Sequence, residues 1–145
     1  MALKEKILDV MGGVHVGAVA TVDAGMPAVR FMALRGQDDL SIVAATTTGS
    51  RKVQQISKSP DVAISIWSCG EYSDPYVVIR AKGEVHEDRA TKQKYWSHQW
   101  AEYYRSVDNP EFVVLTFAPT IIEYHDPAAM STEVWERKTE IPVSH

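Results

Sequence analysis

Residues 14–23 (VHVGAVATVD) and residues 28–34 (AVRFMAL) are two runs of β-branched and small apolar residues, joined by the sequence DAGMP at 23–27. Valine is typical of strands, and Asp, Gly and Pro are typical of tight turns. The stretch therefore predicts an antiparallel β-hairpin. A second turn sequence, GQDD at 36–39, precedes another strand-like run at residues 40–46, so three antiparallel strands follow one another along the chain.

Three further strands are predicted in the second half of the chain, at residues 62–67, 76–87 and 112–124. Six strands without a regular alternation of strand and helix favour an antiparallel barrel over a doubly wound sheet. We therefore predict a mainly β fold: a six-stranded antiparallel barrel with short helices. The polar tail that begins at His125 shows no clear pattern.

Helical spacing accompanies three shorter segments. Apolar residues recur at helical spacing over residues 2–11, which predicts a short amphipathic helix that packs on or caps the barrel. Val53 and Ile56 predict a second helix of about two turns. Residues 88–104 are helical in tendency, with Asp88 as the N-cap.

Length and composition limit the class of protein. A chain of 145 residues suits one domain and can bury one sizeable core. The hydrophobic fraction of 45% and the charged fraction of 23% exclude an intrinsically disordered chain. We expect a single domain over residues 1–145, with the tail from about residue 127 unassigned.

Charge and cysteine usage exclude other classes. The net charge is −4 and the 15 Lys and Arg residues are scattered, whereas nucleic-acid binding needs a basic stripe. The sequence has a single cysteine, Cys69, which excludes an intrachain disulfide and a multi-cysteine zinc site. A lone cysteine fits a reducing cytoplasm, and we expect its thiol to be unreactive. The histidines lack ligand spacing, and neither a signal-peptide core nor a membrane span is visible. We expect a cytoplasmic protein without a metal site, a membrane anchor or a nucleic-acid partner.

Two basic residues lie at the start of a predicted helix, where acidic residues are usually favoured. A helix N-terminus carries a partial positive charge, yet the helix predicted after Ser50 begins with Arg51 and Lys52. Each exposed cation there costs about 0.3–1 kcal/mol, and a bound anion would remove that cost. The alternative is that Ser50 is a simple N-cap and both cations are solvated surface residues.

Arg30 is a third unusual cation because it lies in the middle of an apolar strand. Such a side chain must either extend to solvent or find a partner. A buried phosphate or carboxylate would be that partner.

These residues occur in an order that resembles the FMN-binding motifs of the pyridoxamine 5'-phosphate oxidase-like split barrels, in particular the general stress protein branch. The motifs are RFMAL at 30–34, Ala45-Thr46 and GSRK at 49–52. Further agreement lies in the first hairpin, in PDVA at 60–63 and in GEV at 83–85. The resemblance covers about residues 5–126.

The resemblance implies an FMN cofactor and a homodimer with two sites at the subunit interface. By resemblance, four side chains would hold the phosphate: Arg30, Ser50, Arg51 and Lys52. Residues along the ring and ribityl chain would be Met32, Ala45 and Thr46, with Phe31 in the same motif. An arginine fork and a helix N-terminus are common devices for binding a phosphate dianion.

The flavin ring would need flat apolar walls, and the four tryptophans are candidates. A buried Trp in a small domain is more often part of the core. Of Trp67, Trp96, Trp100 and Trp135, we expect Trp67 to contribute to the cofactor site.

The implied function is an FMN-dependent oxidoreductase acting on an unknown small molecule, in which the protein supplies orientation and electrostatics. True pyridoxamine 5'-phosphate oxidases are longer, and the sequence EVWER at 133–137 matches only in part the segment whose Arg and His hold their substrate, so that activity is not expected. Alternatives are a flavin-binding protein without turnover, in storage, sensing or a stress response; a split barrel that uses a deazaflavin or heme; and an interaction module with an empty barrel.

Overall fold

Seven strands and four helices make up the part of the chain that the computed structural model describes, residues 1–68 and 70–138. The strands are Gly13–Asp23 (β1), Met26–Gly36 (β2), Ile42–Thr47 (β3), Asp61–Trp67 (β4), Tyr76–His86 (β5), Phe112–Asp126 (β6) and Ser131–Glu136 (β7). The helices are Leu3–Met11 (α1), Arg51–Lys58 (α2), Arg89–Tyr95 (α3) and His98–Tyr104 (α4). None of these helices is long and apolar enough to cross a membrane.

The first six strands close into an antiparallel barrel. Their order is β3-β2-β1-β4-β5-β6, and β6 pairs back with β3, from Ile42 opposite Phe117 to Thr47 opposite Phe112. The prediction of a mainly β, six-stranded antiparallel barrel with short helices is confirmed.

Strand β7 is an addition that the sequence analysis did not foresee. It pairs with β6, from Ile121 opposite Glu136 to Asp126 opposite Ser131, and lies within the polar tail of the chain. Most of its side chains are exposed or half-buried, and Trp135 packs against the main core. The strand is short and partly exposed to solvent, so the alternation of apolar and polar residues along it is too weak to predict a strand from the sequence.

The helical region at residues 88–104 is two helices rather than one. The chain leaves the helical conformation at Trp96, and the Ser97 side chain accepts a hydrogen bond from the Trp100 backbone N–H to begin α4. Asp88 accepts a hydrogen bond from the Thr91 backbone N–H, which confirms it as the N-cap of α3.

Two apolar clusters hold these elements. The main core fills the barrel, and α1 packs onto it with Ile7, Val10 and Met11. A smaller cluster lies outside the barrel, where Phe112 of β6 meets the aromatic side chains of α3 and α4. Its ring centroid lies 5.4, 5.7 and 5.0 Å from those of Trp96, Trp100 and Tyr104. Burying a phenylalanine contributes about 1.5–3 kcal/mol, so this cluster fixes α4 beside the sheet.

The barrel is split between β2 and β3. Strands β1 and β2 pair along their whole length, whereas β2 and β3 pair only at Arg35 opposite Val43 and Gly36 opposite Ile42. Beyond these two pairs the strands diverge. The segment at 30–33 and the segment at 45–46 therefore face each other across an opening.

Candidate functional site

The opening between β2 and β3 contains a cavity of about 320 Å³, here called the ring cleft. Six of the nine side chains predicted for the cofactor site line it: Arg30, Phe31, Met32, Ala45, Thr46 and Lys52. Its other walls come from Ala33 and from three aromatic residues of α4: Trp100, Tyr103 and Tyr104. The divergence of the two strands thus joins residues that are distant in sequence.

A second cavity of about 350 Å³ adjoins the ring cleft and shares Arg30 and Lys52 with it. Arg51 also lines this cavity, so the structure brings three predicted phosphate ligands together from β2 and α2. We call it the cationic cavity. Asp23, in the β1–β2 turn region, is its one acidic lining residue.

Ser50 precedes α2 and carries a hydroxyl group that is buried without a partner. The preceding residue, Gly49, has a φ of 114° that side-chain-bearing residues rarely adopt, and it makes the turn into the helix possible. Ser50 has the extended backbone of an N-cap, but its side chain caps no helix N–H. Its Oγ has no hydrogen-bond partner among the residues that the structure describes. The simple N-cap role is therefore not observed, and a buried hydroxyl without a partner costs about 1–3 kcal/mol.

Lys52 occupies an electrostatically unfavourable position. Its Nζ donates to Thr46 Oγ1 at 3.0 Å. Burial lowers the pKa of Lys52, and the neighbouring charge of Arg30 lowers it further. Within residues 1–68 and 70–138, no ion pair involves either cation. The charges are thus concentrated and uncompensated, as an anion site requires.

Neutral groups hold Arg30 in place. Its Nη1 donates to the Val19 carbonyl at 3.2 Å and to Thr21 Oγ1 at 2.7 Å, and its Nη2 donates to Gln55 Oε1 at 2.9 Å. Burial lowers the pKa of Arg30. Sequence reasoning identified Arg30 but missed Thr21 and Gln55. The available signal was that Gln55 follows Arg51 by four residues, so that it lies on the same side of α2.

The aromatic wall of the ring cleft was also missed. Trp100, Tyr103 and Tyr104 follow the i, i+3, i+4 spacing that places them on one face of α4. Tyr103 is 80% exposed, so core packing does not account for it.

The structure does not bring Trp67 to this wall. Trp67 ends β4 and pairs with Tyr76 of β5, and β1 separates β4 from β2. Trp96 packs on Phe112, and Trp135 packs on the main core.

A third cavity, of about 270 Å³, continues from the ring cleft and shares Ala33, Trp100 and Tyr103 with it. Arg35 lines it, with its guanidinium carbon 4.9 Å from the centre of the Trp100 ring and its Nη2 donating to the Tyr95 carbonyl at 2.7 Å. Glu102 lines the same cavity. The ring cleft therefore has adjoining space on two sides.

An apolar surface borders the ring cleft on the outside of β1 and β2. Phe31 is 79% exposed, and Val14, Val16 and Val29 are also exposed. The strand register places Ala18 opposite Phe31 and Val16 opposite Ala33, so these side chains form one patch. Large contiguous apolar patches on a protein surface are typical of interaction sites.

The family model described as pyridoxamine 5'-phosphate oxidase matches residues 3–126, which include every residue that lines the ring cleft and the cationic cavity. The chain belongs to the pyridoxamine 5'-phosphate oxidase family. It is 31% identical to general stress protein 26 of Bacillus subtilis (strain 168) over 118 residues, which cover 81% of this chain and 84% of that protein. The crystal structure of general stress protein 26 from Bacillus anthracis str. Sterne aligns with a TM-score of 0.78 and 26% identity, over 94% of this chain and 100% of that one.

More distant structures share the fold but differ in the ligand that their descriptions name. An FMN-binding, pyridoxamine 5'-phosphate oxidase-related protein from Nostoc punctiforme PCC 73102 aligns with a TM-score of 0.61 at 15% identity, over 86% of this chain and 87% of that one. A heme-binding protein from Mycobacterium smegmatis aligns with a TM-score of 0.76 at 17% identity, over 94% and 58%. An F420 reductase aligns with a TM-score of 0.63 at 23% identity, over 79% and 94%. At these identities the likeness shows the fold alone, and the ligand must be argued from the site.

Proposed function

We propose that this protein binds FMN in the opening between β2 and β3 and is an FMN-dependent oxidoreductase of a small molecule. The observation that carries the proposal is the buried, unpartnered Ser50 Oγ at the start of a helix that also supplies Arg51 and Lys52. A phosphate group offers an acceptor to that hydroxyl and a negative charge to the cations.

The cationic cavity would hold the phosphate. Arg30 of β2 and Arg51 and Lys52 of α2 line this cavity, and the first turn of α2 has backbone N–H groups without helical partners that can bind an anion. A dianion there would oppose both the burial and the Arg30 charge that lower the pKa of Lys52. Arg30 and Lys52, which form no ion pair among the described residues, would then pair with the ligand.

The ring cleft would hold the isoalloxazine ring and the ribityl chain. Met32 and Ala45 offer apolar surface, Thr46 offers a hydroxyl, and Trp100 and Tyr103 offer flat aromatic faces. Ligand sites usually combine such apolar walls with a few polar groups. Trp67 is not included in this proposal, because it lies on a different part of the sheet.

Bound FMN supplies hydride or single-electron transfer, and the residues of the chain bind, orient and shield it. The third cavity, beyond Ala33, would admit a small reactant beside the ring, with Arg35 as its cation. The proposal does not include oxidation of pyridoxamine 5'-phosphate, because the segment at 133–137 matches only in part the one that holds that substrate.

We also propose that the protein is a homodimer in which a second copy covers the apolar patch of β1 and β2. The patch is exposed in the single chain and lies directly beside the ring cleft, so its burial would also shield the ring. Homo-oligomers most often pair through the same surface on both subunits, which suits a sheet face.

Heme is the alternative cofactor that the site chemistry disfavours. Heme iron is commonly bound by histidine, and the histidines among the described residues do not line the ring cleft or the cationic cavity. A deazaflavin and a flavin-binding role without turnover remain as the alternatives that the experiment distinguishes.

The test is an absorption spectrum of the purified protein, followed by separate titrations with FMN and riboflavin and by anaerobic addition of NADH or NADPH. We expect a flavin spectrum, tighter binding of FMN than of riboflavin, and bleaching of the flavin by a reduced nicotinamide. A heme or deazaflavin spectrum would contradict the cofactor assignment. A flavin that no donor reduces would contradict the enzymatic part and favour a storage or sensing role.

A further inference from the structure

We infer that Gln55 and Thr21 are positioning residues that present Arg30 to the cofactor phosphate as an uncompensated cation, and that they thereby set the preference for phosphorylated over unphosphorylated flavin. The inference rests on the proposed function, since it concerns the same phosphate. It assigns a role to Thr21, which lines neither the ring cleft nor the cationic cavity, and to Gln55, which lines the cationic cavity beside Arg30.

The hydrogen bonds form a closed triangle. Thr21 Oγ1 donates to Gln55 Oε1 at 2.5 Å and accepts from Arg30 Nη1 at 2.7 Å, while Gln55 Oε1 also accepts from Arg30 Nη2 at 2.9 Å. Because arginine donates only, the Gln55 amide must turn its oxygen toward Arg30. Both Nη1 hydrogens and one Nη2 hydrogen are thereby used, counting the bond to the Val19 carbonyl. The edge formed by Nε and the other Nη2 hydrogen has no partner among the described residues.

That remaining edge has the geometry for a bidentate contact. The Nε and Nη2 hydrogens of a guanidinium point in parallel and match two oxygens of a phosphate. The triangle therefore fixes the plane of the guanidinium and the direction of its unused edge. Without the triangle, Arg30 would lose orientation while keeping its charge.

The chemical nature of the groups that accept hydrogen bonds from Arg30 is as informative as their position. An arginine inside a protein is commonly held by a carboxylate, which satisfies its hydrogen bonds and cancels its charge. Here all three acceptors are neutral: a carbonyl, a hydroxyl and an amide. Neutral acceptors orient Arg30 and leave its full charge for a ligand.

The triangle also joins two parts of the site. Thr21 is 2% exposed on β1 and Gln55 is 8% exposed on α2, the helix that begins with the phosphate-binding residues. Buried polar networks of this kind rigidify the elements they connect. The same contact thus sets the distance between Arg30 and the N-terminus of α2.

The decisive variant is Gln55→Glu, with Gln54→Glu as its matched control. Both add one negative charge to neighbouring positions of α2, but Gln54 is exposed and makes no contact with Arg30 in the described structure. The carboxylate at position 55 would keep Arg30 in place and compete with the phosphate for its charge. We expect at least a tenfold rise in the FMN Kd for Gln55→Glu, a change of less than threefold for Gln54→Glu, and little change in the riboflavin Kd for either.

Two further readouts separate positioning from a general structural role. The ligand-free Gln55→Glu protein should melt at the wild-type temperature or above, because its new ion pair with Arg30 is favourable, although FMN binds more weakly. The ratio of variant to wild-type FMN Kd should shrink as the pH falls and the introduced carboxyl protonates.

Thr21→Val should weaken FMN binding, and Thr21→Ser, which keeps the hydroxyl, should restore it.

The proposed function and this inference fail in different ways. If wild-type protein does not bind FMN, the proposed function fails; inorganic phosphate then serves as the probe, and a melting-temperature increase in wild type but not in Gln55→Glu would still support the positioning role. The inference is overturned if Gln55→Glu binds FMN, and phosphate, as tightly as wild type. It is also overturned if Gln54→Glu shows the same loss, or if FMN and riboflavin are weakened equally.

Discussion

Removing the ammonium group of Lys52 should weaken phosphate binding without harming the fold. Lys52→Met keeps the apolar stem of the side chain and deletes the charge. In the ligand-free protein that charge is partly buried, lies near Arg30, and has one hydrogen bond to Thr46. Its pKa is lowered by burial and by Arg30, which shows that the folded chain disfavours the charged form. We therefore expect this charge to serve a ligand rather than the fold.

The size of the effect follows from the contact that would be lost. A hydrogen bond to a charged group contributes about 1.5–3 kcal/mol, which corresponds to a rise in the FMN Kd of roughly 10- to 150-fold. Riboflavin has no phosphate, so its Kd should change less than about twofold on the same reasoning. The melting temperature of the ligand-free protein should stay the same or rise, because an unfavourable burial and a repulsion are removed.

The assay is a flavin fluorescence titration of wild type and variant at one salt concentration, together with thermal unfolding without ligand. Lys58→Met is the matched control, since it removes a charge from the exposed last turn of the same helix. Equal losses of FMN and riboflavin affinity would refute the reasoning. So would an unchanged FMN affinity in a protein whose melting temperature has fallen.

Three further outcomes follow from the same structure. Tyr103→Ala should weaken the binding of FMN and riboflavin alike, by roughly 2- to 12-fold for the loss of one aromatic contact of about 0.5–1.5 kcal/mol. Tyr72, which is 90% exposed against 80% for Tyr103 and lies outside the ring cleft, is the control: Tyr72→Ala should change neither affinity in a calorimetric titration. Because the pKa of Lys52 is lower in the folded chain than its ordinary value of 10.5, the unfolded chain binds more protons just below pH 10.5. The free energy of unfolding of ligand-free wild type, measured in urea, should therefore rise with pH in that alkaline window relative to Lys52→Met; a falling difference would contradict the cause given for the shift. Val16→Glu, in the exposed apolar patch, should convert the proposed dimer to single chains in light scattering, while Tyr72→Glu should not; dimers that persist in Val16→Glu would place the interface elsewhere.

The barrel could be predicted because its signals are local. Alternating apolar residues and the turn at 23–27 mark β1 and β2, and similar patterns mark the other four barrel strands. Strand β7 could not be predicted in this way. It has six residues with mostly exposed side chains, and its formation depends on pairing with β6 rather than on its own sequence pattern. The break at Trp96-Ser97 was missed although Ser97 is a typical N-cap residue.

The cationic half of the site could be predicted because its residues conflict with their local surroundings. Arg30 in an apolar strand and Arg51 and Lys52 at a helix start are each unfavourable without a ligand. Thr21 and Gln55 show no such conflict, since a threonine is common in strands and a glutamine in helices. Their role depends on the packing of α2 against β1, which only the three-dimensional structure shows.

The aromatic wall depends on tertiary structure in the same way. The spacing of Trp100, Tyr103 and Tyr104 predicts one face of a helix but not which strand that face meets. Packing of Phe112 against α4 decides that it is the opening beside β2. The sequence places Trp67 at the end of the strand predicted at 62–67, but the strand order that puts β1 between β4 and β2 could not be known from the chain alone.

A crystal structure of the protein grown with FMN tests the central claim most directly. The account predicts that the phosphate accepts a hydrogen bond from Ser50 Oγ and lies within contact distance of Arg30, Arg51 and Lys52. A bound flavin whose phosphate points into solvent, with Ser50 Oγ still unpartnered, would contradict the account.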